Sequence, residues 1–254
     1  MNFLAFDTST DVMSIAVGKT SGVAQQWLHT ATGGAKASTG LIAGVMDLLG
    51  QAGLALTDLD AIAFGAGPGS FTGLRTACSV AQGLAFGADV PVLPIDTLLA
   101  VAEEARYTAY SDTRAFRLTA LLDARMDEMY CATYDFADGE WSEVQGSHLV
   151  RPQAFVAQQA ITDASALPGF AGNVFTVYDE QLVGLAGITT LPTAAAMLRL
   201  APSLMAAGKA VPADQALPSY IRDKVAKTTA ERMAEKAAAM QVLPESGAAV
   251  KTSQ

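Results

Sequence analysis

Residues 61–87 read AIAFGAGPGSFTGLRTACSVAQGLAFG and divide into an apolar run, a glycine-rich turn and a segment of helical period. The order predicts strand, loop and helix. Gly65, Gly67, Gly69 and Gly73 relax steric limits on the backbone, and Pro68 fixes one φ angle. Ser70 and Thr72 are each suited to cap a helix that begins near Leu74, with Phe71 between them and Arg75 just inside it. Such a loop serves either as a tight strand-to-helix connection or as a cradle of backbone N–H groups for an anion or partner. Three catalytic readings fail on spacing. A Walker loop needs a lysine directly after its last glycine, where this chain has Leu74. A dinucleotide fingerprint lacks its third glycine, and Ser70 lacks the flanks of a nucleophile elbow.

Working outward, the chain of 254 residues is 51% hydrophobic and 16% charged, enough for a large core. No run approaches a membrane span and no basic, apolar leader follows Met1, so a soluble, cytoplasmic protein is expected. Cys78 and Cys131 lack metal spacing and read as buried free thiols. The net charge of −9 argues against a stand-alone nucleic-acid binder. From Lys209 onward the balance turns locally positive, and Arg222, Lys224 and Lys227 become candidates for contact with a nucleic acid or an acidic partner face.

The first segment, LAFDTSTDVMSIAV, predicts a hairpin with Asp7 at the end of its first strand and Thr8 and Ser9 in its turn. TALLDARMDEMYCATY repeats it at a constant offset, aligning Asp7 with Asp123, Asp11 with Asp127, Met13 with Met129 and Ala16 with Ala132. Two lobes are therefore expected, residues 1–106 and 107–227, with a linker at 107–114 and a terminal helix and tail at 228–254. A late helix near 193–208, interrupted at Pro202, is expected to fold back on the first lobe. Asp138-Gly139 signals a further hairpin. Asp123 with Arg125, Asp127 and Glu128 offers acid–base groups, though a charge-stabilised turn fits better. His29 and His148 are too far apart in sequence for a helical metal pair, and no metal or cofactor is expected.

GPGSFTGLR, LAFDTST, LLDARMDEMY and LPSYIRDKVA occur in that family's order, so the chain resembles the bacterial TsaB (YeaZ) family, a non-catalytic-looking relative of the TsaD/Kae1 enzymes. The resemblance implies an α/β chain of the actin-like ATPase (ASKHA) fold, with duplicated lobes of mixed sheet flanked by helices. It implies a non-catalytic subunit of the complex that adds threonylcarbamoyl to the tRNA adenosine 3′ of the anticodon. Its expected partners are a TsaD-like catalytic subunit as heterodimer, a TsaE-like ATPase subunit through the complex, and tRNA indirectly, with a homodimer when alone and no membrane. Where actin-like ATPases carry a phosphate-loop glycine, Thr8 or Ser9 stands, so Asp7, Thr8 and Ser9 read as a vestigial nucleotide loop. Departures from the family pattern lie at Ala37-Ser38 and Ala66. The alternative is an actin-like kinase or hydrolase with its own active site between the lobes.

The helix over 36–52 is apolar on two sides, and so is the helix after the glycine loop. The interface with the partner is accordingly expected on Leu41, Ile42, Val45, Met46 and Leu49 of the first and on Leu74, Ala77, Cys78, Ala81 and Leu84 of the second. The competing expectation is burial of both helices within the chain.

Overall fold

A computed structural model describes residues 1–20, 25–33, 37–160 and 169–222. Strands β1 (Asn2–Asp7) and β2 (Val12–Lys19) form the expected hairpin, and β2 continues antiparallel into β3 (Gln25–Thr32). After α1 (Ala37–Ala52), β4 (Ala61–Gly67) lies parallel to β1. Helix α2 (Phe71–Ala88) then returns the chain to β5 (Val92–Asp96), parallel to β4, which completes a sheet of order β3-β2-β1-β4-β5. Strand β3 was not expected. Its alternation is masked by polar residues on both faces, and a helix, rather than a second hydrophobic strand, follows it.

The side chain of Asp96 starts α3 (Thr97–Ala109) by accepting from the amides of Leu98 and Leu99 at 2.7 and 3.1 Å. A second sheet follows from β6 (Ala115–Asp123), β7 (Met129–Ala137), β8 (Glu140–Val150) and, after α4 (Pro152–Ala160), β9 (Gly169–Gly172). Its order, β8-β7-β6-β9, with β9 parallel to β6, reproduces that of β3-β2-β1-β4. Asp7 and Asp123 occupy equivalent strand ends, so the sequence repeat is a repeat of structure. Asp138 and Gly139 make the β7–β8 turn with φ of 54° and 87°, as a type I′ hairpin requires.

Short α5 (Val174–Val177) precedes α6 (Ala194–Ala206), which runs on through Pro202 without breaking. Helices α1 and α2 cover one face of the first sheet, where Leu41, Val45, Ala77 and Ala81 meet Phe6, Ile15 and Phe64. On the other face α6 packs Met197, Leu198 and Ala201 over Phe3, Ala5 and Ala63. Helix α3 shares that middle layer and turns Val101 and Ala105 toward Leu118 and Ala132 of the second sheet. Phe155 and Val174 close the far side of that sheet. Five alternating helix and sheet layers result, a two-lobed actin-like fold.

The middle layer also holds an ionic cluster. Glu103 accepts from Arg106 at 2.7 and 2.8 Å, from Arg199 of α6 at 2.8 Å and from the Trp141 indole of β8 at 3.0 Å. Burial pushes its carboxyl up, but these bonds outweigh it and hold the pKa below the ordinary value. Both sheets lie in one compact unit, Met1–Ile221. Helix α3 extends to Ala109, so the connection between the sheets is 110–114 rather than 107–114, and a boundary at 106/107 would cut the helix. The helix and tail expected over 228–254, like Lys224 and Lys227, lie outside the described residues.

Candidate functional site

The glycine loop and the first hairpin turn are packed directly on each other. A Cβ at Gly73 would stand 1.8 Å from the carbonyl oxygen of Thr8, and one at Gly69 would stand 2.6 Å from the Cβ of Ser9. Only glycine permits that approach. The Thr8 hydroxyl donates to the Gly73 carbonyl at 2.7 Å, and the Ser70 amide donates to the Ser9 carbonyl at 2.7 Å. Asp7, Thr8 and Ser9 are consequently buried, with Asp7 and Thr8 fully so. The glycines thus let the start of α2 close over this turn and seal it. Ser70 stands at the N-cap of α2 but makes no side-chain cap bond, contrary to expectation, and Thr72 is exposed.

Asp7 is held inside the seal. Its Oδ1 accepts from the Ser9 amide at 2.9 Å and the Ser9 hydroxyl at 2.7 Å, whereas Oδ2 has no partner among the described residues. A Cβ at Gly65 would stand 1.8 Å from that Oδ2. Burial raises the pKa of Asp7 to about 6, against the lowering effect of the two Ser9 bonds.

The same loop gathers a distant motif. Gly67, with φ of +122° and a cis bond to Pro68, lies against the Ser219 carbonyl, and the Ser219 amide donates to Ala66 at 2.7 Å. Arg75 lies 3.8 Å over the Phe71 ring and donates to the Tyr220 hydroxyl at 3.2 Å. Gln82 donates to the Ala216 carbonyl at 2.9 Å. GPGSFTGLR and LPSY are therefore two halves of one surface at the start of α2.

The two helices present another surface, and here the expected residues divide. Leu41, Val45, Leu49, Leu74, Ala77, Cys78 and Ala81 are buried in the chain's own core, none more than 5% exposed, and are corrected from interface to core. Periodicity shows that a helix has two apolar sides but not which one the sheet takes. The small Ala77 and Ala81 let α2 lie close on β4. Ile42 and Met46 are half exposed, Leu84 is half-buried, and Phe86 stands 83% exposed. Around them the solvent side of α2 is made of Thr72, Ser79, Gly83 and Gly87, and the two helices carry between them only Asp47 and Arg75 as charges. An 18-residue helix with one charge is unlike an ordinary solvated helix.

At the equivalent turn of the second sheet, Asp123 is committed to structure. It accepts from the Arg125 amide and the Tyr178 hydroxyl, both at 2.7 Å, and pairs with the Arg125 guanidinium at 3.1 Å. Arg125 also reaches Asp11 in the first hairpin at 2.6 Å, tying the two turns together. The charged-turn reading of this segment holds. His29 and His148 lie in different sheets, on the edge strands β3 and β8. Both cysteines are buried, and burial pushes the Cys131 thiol up to about 12.

The tRNA N6-adenosine threonylcarbamoyltransferase (TsaD) family matches residues 23–247. The tRNA threonylcarbamoyladenosine biosynthesis protein TsaB of Escherichia coli is 32% identical over 232 residues, 89% of this chain and 96% of that protein. The protein of the same name from Haemophilus influenzae is 32% identical over 89% of this chain and 95% of its own. The solved structure of YeaZ from Pseudomonas aeruginosa superposes with a TM-score of 0.72 at 35% identity, covering 86% of this chain and 99% of that one. With the sealed loop and duplicated sheets already described, these similarities place the chain in the TsaB (YeaZ) family.

Proposed function

We propose that this chain is a non-catalytic, cytoplasmic subunit in the formation of threonylcarbamoyladenosine on tRNA, binding a TsaD-like catalytic subunit through the solvent sides of α1 and α2. The observation that carries the reading is the nearly uncharged face around Ile42, Met46 and Phe86, which a soluble chain of net charge −9 would not leave open without a partner. The sealed Asp7–Ser9 turn supports a supporting rather than a catalytic role, since the phosphate-loop position is filled by the chain's own backbone. A TsaE-like ATPase subunit joins through the complex. The acidic balance fits indirect engagement of tRNA by way of the partner. Reconstitution of the modification with every other subunit present tests the role. Omission of this chain should abolish or strongly reduce threonylcarbamoyladenosine, and undiminished product would refute it. Titration of the purified chain with ATP and magnesium should give no heat of binding.

A further inference from the structure

Beside the start of α3, where the two sheets meet, negative charge stands without a counter-charge. Asp96, at the end of β5, uses Oδ1 to cap α3, and its Oδ2 lies 3.4 Å from the Ser147 hydroxyl of β8. Strand β8 shifts register against β7 on either side of Thr133, so Gly146 and Ser147 bulge from the ladder, and such a bulge re-aims the side chains beside it. Glu143 is paired across the strands with Tyr134, and its carboxylate reaches back to Gly146, where a Cβ would stand 3.2 Å from Oε1. Neither carboxylate is in an ion pair among the described residues, and Arg106 and Arg199 of the same layer are engaged by Glu103 and Glu104. Tyr134 is an independent sign. It is only 3% exposed, and its hydroxyl lies beside Asp96 and Ser147 with neither in bonding geometry, so that it has no hydrogen-bond partner among the described residues. Burial, and after it the charge of Asp96, pushes the Tyr134 pKa well up. Burial also raises Asp96, against the lowering effect of its amide bonds, and Glu143 adds to the rise.

We propose that Asp96, Tyr134, Glu143 and Ser147 bind a hard divalent cation of calcium's size, which bridges the two sheets. The donor set is two carboxylates and two hydroxyls, all oxygen, the chemistry that hard cations select. Size follows from spacing. Neighbouring oxygens around calcium, each bound at about 2.4 Å, lie about 3.4 Å apart, whereas around magnesium, at about 2.1 Å, they lie about 3.0 Å apart. Asp96 Oδ2 and Ser147 Oγ have the wider spacing, and it exceeds the roughly 2.5–3.0 Å of an ordinary hydroxyl-to-oxygen bond. The cation balances the buried charge of Asp96 and gives the Tyr134 hydroxyl an interaction it otherwise lacks. Glu143 is exposed, which opens the site to solvent. No three His, Cys, Asp or Glu side chains gather as a metal site among the described residues, so water completes the shell and binding is weak, at about 0.1–1 mM.

The test is terbium luminescence of the full chain at neutral pH in potassium chloride. Terbium is a luminescent ion of calcium's size with the same preference for oxygen, and here it would be excited through Trp141, whose ring centroid is 6.3 Å from that of Tyr134. Calcium should displace the terbium, and magnesium should need at least ten times the concentration. Glu143→Gln should weaken terbium and calcium binding at least tenfold, and Ser147→Ala should weaken both. Each variant is first checked in metal-free buffer for a thermal transition like that of the parent, which the exposed Glu143 and half-buried Ser147 allow. Added calcium should then raise the transition of the parent more than that of Glu143→Gln. Absence of calcium-displaceable emission would overturn the proposal, leaving protonation to neutralise the cluster. Emission unchanged in Glu143→Gln would overturn it too, by placing the ion elsewhere on the acidic surface, and so would equal displacement by magnesium.

Discussion

Asp7 is a carboxyl buried in a tight turn, where its two Ser9 bonds and its burial act in opposite directions. Its folded pKa is about 6 against an ordinary 3.8, so between those values the folded chain holds a proton that the unfolded chain has released. For an acid shifted upward, stability therefore falls as pH rises from about 4 to about 6, by roughly 3 kcal/mol at full burial. Asp7→Asn keeps an oxygen for the Ser9 donors and removes that slope. Urea unfolding across the window should show the variant gaining on the parent as pH rises, and parallel curves would contradict the assignment. The loop glycines give a second contrast. Gly73→Ala forces a methyl onto the Thr8 carbonyl and should cost about 3 kcal/mol or more, whereas Gly83→Ala, with nothing within 4 Å, should stabilise the helix by about 0.5–1 kcal/mol. The sequence made the glycines conspicuous. That they admit a neighbouring turn rather than a ligand depends on where Thr8 and Ser9 lie in space, which spacing along the chain does not encode.

Among the elements, strand, loop and helix over 61–87 were legible because hydrophobic period, glycine and cap residues all point the same way. The rotation of α1 about its axis was not. Leu41 and Ile42 are adjacent and equally apolar, yet Leu41 is fully buried and Ile42 is half exposed. The difference is set by Ile15 and Phe64 beneath the helix, contacts long-range in sequence. Val45→Asp should therefore abolish the cooperative thermal transition by placing an unpaired charge in the core. Ile42→Asp should leave the transition within about 1 kcal/mol of the parent. Equal effects at the two positions would contradict the orientation of the helix. Strand β3 was missed for a related reason, since as an edge strand it leaves six of its eight residues exposed and lacks a hydrophobic alternation to read.

At the scale of the whole molecule, the duplicated Asp–turn–strand pattern was enough to predict two similar sheets, but not the layer that joins them. That layer depends on Glu103 of α3, Arg199 of α6 and Trp141 of β8, which are far apart in sequence. Glu103→Ala would leave Arg199 and Trp141 without this acceptor and should cost about 3–5 kcal/mol, read as one cooperative loss rather than the melting of one lobe. The outer helix layer is the surface proposed to meet a catalytic partner. Its most direct test is the affinity of the Ile42→Asp/Met46→Asp chain for a TsaD-like subunit from the same source, measured by calorimetry beside the parent. A loss of at least about 100-fold is expected with the thermal transition preserved, the scale that follows when charges enter the apolar centre of an interface. Unchanged affinity in a folded variant would contradict it.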